Sequence, residues 1–177
     1  MAEPTPGGSQ AVEGTIVFTD IVGFTEFTAT RGDAEALRLL AAQDRLLGAA
    51  LPGAARVVKE LGDGLLLWFP EPVTAIHSAF ALHRGFEAAS SSNGHALLMR
   101  VGMHHGRALA RGSDVVGHDV NLAARIVDVA APGEVLVSDT VRAGVDPSSA
   151  HVSFSELGPV VMKGVPGPIR LWRATAC

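Results

Sequence analysis

Two carboxylates stand where the chain turns. Asp20 closes the run GTIVFTDI that begins at Gly14, and Asp63 sits inside Leu61-Gly62-Asp63-Gly64. A turn presents a side chain instead of packing it away. If the two strands are neighbours, the pair could therefore share two Mg2+ or Mn2+ ions, which take oxygen ligands and complete their shells with water and phosphate. Aspartate is also an ordinary turn residue, and taken singly each reads more readily that way. After Asp20 the segment Ile21-Val22-Gly23-Phe24-Thr25 turns into a helix, whose free backbone N–H groups could cradle an anion such as a triphosphate. Asn121 and Arg125 stand four apart and share a helix face, which could set an amide beside a guanidinium suited to phosphoryl charge. In isolation, that pair reads more readily as a solvated polar stripe.

These residues need elements to hold them. The β-branched and aromatic residues from Gly14 predict a buried strand ending near Asp20. From Asp33, the expected N-cap, to Ala50, the residues Ala36, Leu39, Leu40, Leu46, Leu47 and Ala50 form one helical face, with Gln43 the exception. Strands at Ala55–Glu60 and Leu65–Phe69 flank a glycine hairpin with Asp63 at its tip. Pro72 opens a second helix that buries Val73, Ile76, Ala79 and Phe80. A strand is predicted over Ala96–His104, then a loop into a helix from about Asp119 that Pro132-Gly133 ends. Further strands are expected at Glu134–Val137, Val152–Phe154, Val160–Met162 and Ile169–Arg173. The order strand-helix-strand-strand-helix-strand predicts an α+β, ferredoxin-like sandwich with additional C-terminal strands and helices.

Composition narrows the partners. At 177 residues and 47% apolar, the chain can bury one substantial core. Residues 1–13 read as a loose tail and residues 14–177 as one domain. A net charge of -4 supplies no basic field for nucleic acid or an anionic membrane. No apolar run approaches the ~18–20 residues needed to span a bilayer, and residues 1–13 do not read as a signal peptide. The lone Cys177 rules out an internal disulfide and suits a cytoplasmic location. The neighbours His104 and His105 should point to opposite strand faces and so cannot easily chelate one ion. His77 and His83 read as packed or capping residues, and Trp68 and Trp172 as core or interface.

Taken together, FTDIVGFT, KELGD and DVVGHDVNLAAR, in this order and at these separations, resemble the class III adenylyl and guanylyl cyclase family from about Gly14 to Arg173. The resemblance implies a metal-binding set of Asp20 and Asp63 with Ile21 beside them, holding Mg2+ or Mn2+, two ions per site. It implies Lys59 and Asp114 as the base-recognising pair, Asn121 as the ribose-orienting residue and Arg125 as the transition-state arginine. Lys163, in MKGVPGP, resembles a triphosphate-binding lysine, and a surface lysine is its competitor. Guanylyl relatives typically carry Glu and Cys, or another small residue, where Lys59 and Asp114 stand, so the implied substrate is ATP and the product cyclic AMP. A head-to-tail homodimer with two composite sites is implied as well. His104-His105-Gly106 departs from the His-Thr-Gly of many relatives, and the short segment from Gly106 to Asp114 resembles a subset of bacterial cyclases. A non-catalytic nucleotide-binding module would be expected to have lost a metal aspartate or the arginine, and both are present.

Overall fold

In chain order the elements are β1 (Gln10–Ile21), α1 (Phe24–Arg31), α2 (Asp33–Ala50), β2 (Arg56–Leu61), β3 (Gly64–Phe69), α3 (Pro72–Ser92), β4 (Met99–Arg111) and β5 (Asp114–Val116). There follow α4 (His118–Val129), β6 (Val135–Ser138), α5 (Asp139–Ala143), α6 (Pro147–Ala150), β7 (Val152–Val160) and β8 (Ile169–Ala176). The computed structural model describes residues 9–92, 94 and 96–177. Residues 1–8 of the expected tail lie outside these, whereas Gln10 to Glu13 already pair with β4.

β1 organises the sheet because both its edges are used. Thr15 to Thr19 pair with β3, and Gln10 to Ile21 pair with β4, all antiparallel. The eight-stranded sheet runs β2-β3-β1-β4-β6-β8-β7, with β5 folded back onto β4. Its first four strands have the order of a ferredoxin-like unit, and α2 and α3 cover one face. Alternation along β1 divides the layers: Val17 and Ile21 join the core under α2 and α3, while Ile16 and Phe18 face α4 on the other side. Leu39, Leu47, Phe69, Phe86 and Met103 fill the first core, and each such side chain stabilises by about 1.5–3 kcal/mol on burial. Gln43, the exception to the helical face, is buried there, and its Oε1 has no hydrogen-bond partner.

Several boundaries differ from those expected, each for a local reason. The cap of α2 is Gly32 (φ 87°), so Asp33 is the first helical residue and makes no capping bond. The strand expected at Ala96–His104 is β4, which starts at Met99 and runs on to Arg111, because it pairs along all of β1. The expected loop after Gly112 contains β5, which closes a tight turn through Gly112 (φ 61°). The predicted strands at Val152–Phe154 and Val160–Met162 are one strand, β7, interrupted by an irregularity at Glu156/Gly158, and Met162 is a core residue beyond its end.

Candidate active site

The carboxylate corner is made by two glycines used differently. In the two-residue turn between Leu61 and Gly64, Gly62 takes φ 74°, which L-residues rarely adopt. Gly64 has ordinary φ but is needed for space, since a Cβ there would meet the Thr19 carbonyl oxygen at 2.7 Å. The hairpin therefore sits tight against the end of β1 and brings Asp63 beside Asp20. Burial raises the Asp63 carboxyl above its ordinary pKa of 3.8; the charge of Asp20 adds to the rise, and the backbone amides of Asp63 and Ile21 oppose it. Ile21 has its side chain in the core, so only its backbone is available to this corner.

Arg100, which the sequence reading did not single out, donates from Nε to Asp20 Oδ2 at 2.8 Å. The signal was present in the sequence: a lone arginine in the apolar run LLMRVGM needs a carboxylate on its own face, and Asp20 is its cross-strand partner. Among the described residues, no group of three or more His, Cys, Asp or Glu side chains forms a metal cluster. An all-oxygen pair of this kind fits Mg2+ or Mn2+, whose remaining ligands come from phosphate and water.

Beyond this corner, α1 begins at Phe24 behind Gly23 (φ 78°), with no side chain capping it. The Thr25 side chain is exposed and that of Val22 half-buried, while the Val22 amide is already used by the Leu98 carbonyl. The open amides of the expected cradle therefore lie from Gly23 onward.

Lys59 and Asp114, far apart in sequence, meet directly. The Lys59 ammonium Nζ donates to Asp114 Oδ2 at 2.8 Å, and the Val115 amide donates to Asp114 Oδ1 at 2.8 Å. A register irregularity at Val57/Lys59 turns Lys59 toward the face of Leu66, and the β4–β5 hairpin reaches across to β2, where Arg56 Nη1 also meets the Ser113 carbonyl at 3.4 Å. The Lys59 hydrogen bond holds the Asp114 carboxyl below its ordinary pKa, and both side chains remain open to solvent.

Asn121 and Arg125 project from the outer side of α4 and are exposed. With His118 they line a depression of about 340 Å³ whose far wall is Gly164 and Val165, the residues following Lys163. Arg125 Nη1 reaches Asp128 Oδ2 at 3.3 Å, and Arg100 Nη1 donates to the Asp128 carbonyl at 3.2 Å. Lys163 is exposed in the loop after Met162. The structure thus gathers the expected residues into three groups on one chain: Asp20 with Asp63, Lys59 with Asp114, and Asn121 with Arg125 near the Lys163 loop.

The histidine rings diverge as expected. His104 Nδ1 lies 2.8 Å from Ser138 Oγ, and His105 Nδ1 lies 2.9 Å from Thr15 Oγ1. His77 Nε2 pairs with the Ala150 carbonyl at 2.8 Å. His83 Nε2 is buried without a partner, and burial lowers the His83 pKa to about 4. Trp172 packs against the larger core and donates to Asp139 at 2.6 Å, while Trp68 lies under Arg56.

This fold and these motifs define a nucleotidyl cyclase domain. The family model for the adenylate and guanylate cyclase catalytic domain matches residues 9–174, and the chain belongs to that family. It is 36% identical over 176 residues to a pH-sensitive adenylate cyclase of Mycobacterium tuberculosis, covering 97% of this chain and 42% of that protein. An adenylate cyclase of Streptomyces griseus is 37% identical over 139 residues, 75% of this chain and 34% of that protein. The chain therefore spans less than half the length of these curated relatives. Among solved structures, the adenylyl cyclase CyaB from P. aeruginosa superposes with a TM-score of 0.83 at 18% identity, covering 96% of this chain and 97% of that one. The guanylyl cyclase Cya2 gives 0.78 at 20% identity, covering 96% and 95%. These likenesses establish the α+β cyclase fold. Among the described residues, no helix is long and apolar enough to cross a membrane.

Proposed function

We propose that this domain is an adenylyl cyclase, converting ATP into 3′,5′-cyclic AMP and pyrophosphate at two composite sites of a head-to-tail homodimer. The observation that carries this reading is the Lys59–Asp114 pair, assembled from two distant segments. Adenine offers an acceptor at N1 and a donor at N6, which match an ammonium donor and a carboxylate acceptor. The lowered pKa of Asp114 keeps it an acceptor at neutral pH. Guanine presents the reverse polarity, and each opposed group costs about 1–3 kcal/mol.

Asp20 and Asp63, with the Ile21 backbone, would hold the divalent ions; burial chiefly lifts the Asp63 pKa, and the Asp20 charge that adds to the rise is what a bound cation relieves. Two such ions supply polarisation of the ribose 3′-hydroxyl and neutralisation of triphosphate charge. The 3′-hydroxyl gives up its proton to solvent and its oxygen forms a bond to the α-phosphorus as the bond to pyrophosphate breaks. Asn121 orients the ribose for that in-line approach, and Arg125 stabilises charge on the α-phosphoryl oxygens. The backbone after Ile21, through Val22, Gly23, Phe24 and Thr25, would cradle the triphosphate, with Lys163 supplying a further positive charge.

Catalytic domains of this family bind nucleotide and typically dimerise. The outward direction of Asn121 and Arg125, away from their own sheet, supports a site completed by a second copy of the chain. Asp20 and Asp63 would then come from one subunit, and Lys59, Asp114, Asn121 and Arg125 from the other. This chemistry belongs in the cytoplasm, where ATP and magnesium are available.

The test is product identification after incubation with ATP or GTP, with Mn2+, Mg2+ or EDTA. Metal-dependent cyclic AMP is expected; cyclic GMP as the main product would move the domain to the guanylyl class, and no product would leave a nucleotide-binding module. Subunit arrangement is tested by mixing Asp20→Ala with Arg125→Ala protein under exchange. Random pairing makes half the dimers mixed, each with one intact site, so activity should return to roughly one quarter of wild type. No recovery despite demonstrated exchange would place the metal and the arginine on one chain.

A further inference from the structure

The helix that carries Asn121 and Arg125 begins without a side-chain cap. Gly117 precedes α4 at φ 145° and has no side-chain oxygen to offer its first amides; its carbonyl accepts only the Asn121 N–H, at 3.1 Å. The first turn is held from the sheet instead. Asp119 Oδ2 accepts the Arg107 backbone N–H at 2.7 Å, and Asp119 Oδ1 lies 3.5 Å from His104 Nε2. Behind the imidazole, Nδ1 meets Ser138 Oγ at 2.8 Å, and that hydroxyl lies 3.0 Å from Thr140 Oγ1. His104 and Ser138 are buried. Gly106 leaves the space for this arrangement, since a Cβ there would overlap the Asp119 carboxylate. Burial lowers the His104 pKa, against the opposing pull of Asp119, so the ring is a neutral hydrogen-bonding wedge between β6 and α4.

The placement matters because of helical geometry. At about 100° per residue, Asn121 lies about 200° and Arg125 about 240° around the helix from Asp119. A carboxylate fixed on the sheet side therefore sets the direction of both side chains on the outer side. A small roll of α4 would leave the nucleotide pocket present but its reacting geometry wrong.

We propose that Asp119 is a positioning residue for the cyclisation, its carboxylate held between the Arg107 amide and the His104 ring so as to fix the roll of α4 and the aim of Asn121 and Arg125. The role of those two residues rests on the adenylyl cyclase reading; the seat itself does not. In Asp119→Ala, kcat should fall about 10- to 100-fold while KM for ATP stays within about twofold, because misplacement of reacting groups costs rate more than affinity. Asp119→Asn should recover to within about threefold of wild type, since its amide oxygen still accepts the Arg107 N–H. Amide hydrogen exchange in the nucleotide-free protein gives a second readout. Asp119→Ala should speed exchange at Val120 to Ala123 and leave Phe80 to Phe86 of α3 unchanged.

Asp119→Ala protein with kcat within twofold of wild type, or with unaltered exchange in α4, would overturn the proposal. So would an Asp119→Asn protein as slow as Asp119→Ala. Should Asp119→Ala not fold, Asp119→Glu, whose longer side chain displaces the seat, is read in the same two ways. If the wild-type protein made no cyclic nucleotide, the cyclase reading would fall, and the exchange contrast would still decide whether Asp119 seats the helix.

Discussion

On the sheet face covered by α2 and α3, apolar side chains from several strands merge into one continuous core. On the α4 face the apolar contacts break into two small clusters, and Asp20, Arg100 and His104 occupy the same sheet face. The first face is built to exclude water and resists change through packing. The second forgoes part of that packing to hold charges and hydrogen-bonding groups near the surface. On the proposed function, stability and chemistry are largely assigned to opposite sides of one sheet, and substitutions on the two sides should fail in different ways.

The largest expected effect tests the chemical side. Asp63→Ala should lower cyclic AMP formation by at least about 10³-fold, a loss of the size seen when charge stabilisation in phosphoryl transfer is removed. The metal-free protein should melt no lower than wild type, because burial and Asp20 already disfavour the Asp63 charge. Near-normal turnover in the folded variant would remove Asp63 from the site. Phe86→Ala probes the opposite face. Phe86 is 1% exposed, and its truncation should cost about 3–5 kcal/mol in chemical denaturation. A loss below 1 kcal/mol would mean that this core repacks, and the contrast between the faces would weaken.

A smaller effect is expected at the Lys59–Asp114 pair proposed to read the base. Lys59→Glu with Asp114→Cys reverses the hydrogen-bond polarity and should shift the ATP-to-GTP preference ratio by about tenfold or more toward GTP. Absolute GTP turnover would stay low, because the rest of the pocket is unchanged. An unmoved ratio would show that the base is read elsewhere.

His83 supplies the finest test, as a polar group on the packed side with no bonded partner at Nε2. Its folded pKa of about 4 lies below the ordinary 6.5. Between those values the unfolded chain binds a proton that the folded chain does not, so stability falls as the pH drops from 6.5 toward 4 and is unaffected above that window. His83→Leu should remove that fall, worth up to about 3 kcal/mol, as read from denaturation at pH 7 and pH 4.5. Equal pH dependence in the two proteins would mean that the ring finds a partner in solution.

Much of this division was legible in the sequence. The carboxylate corner could be read because turn glycines flank Asp63 and a strand ends at Asp20. The helix of Asn121 and Arg125 could be read because their spacing fixes a common face. For Arg100 the sequence shows a lone arginine in an apolar run that needs a carboxylate, but which carboxylate answers it depends on the strand beside β4, a long-range fact that periodicity does not carry. The continuation of β4 through His105 to Arg111 was obscured by Gly106 and the exposed Arg107 and Arg111, which break the apolar alternation. Asp119 reads as one more acidic residue at a helix start until the backbone of Arg107 is seen to meet it. The full length of β7 was masked by the irregularity at Glu156/Gly158, which shifts the alternation partway along.

Gly102 carries a different kind of consequence. Directly beneath α4, a Cβ at this position would fall on the backbone of Ile126 and Val127. Main chain therefore lies against main chain there, and the height of the helix above the sheet is gauged without any side chain as a spacer. Core residues elsewhere can drift in size over evolutionary time without raising or lowering this helix. Such insulation suits a fold retained at a TM-score of 0.83 with only 18% identity. It also implies that even Gly102→Ala would act as a shim, lifting Asn121 and Arg125 together while leaving the chemical identity of every side chain unaltered.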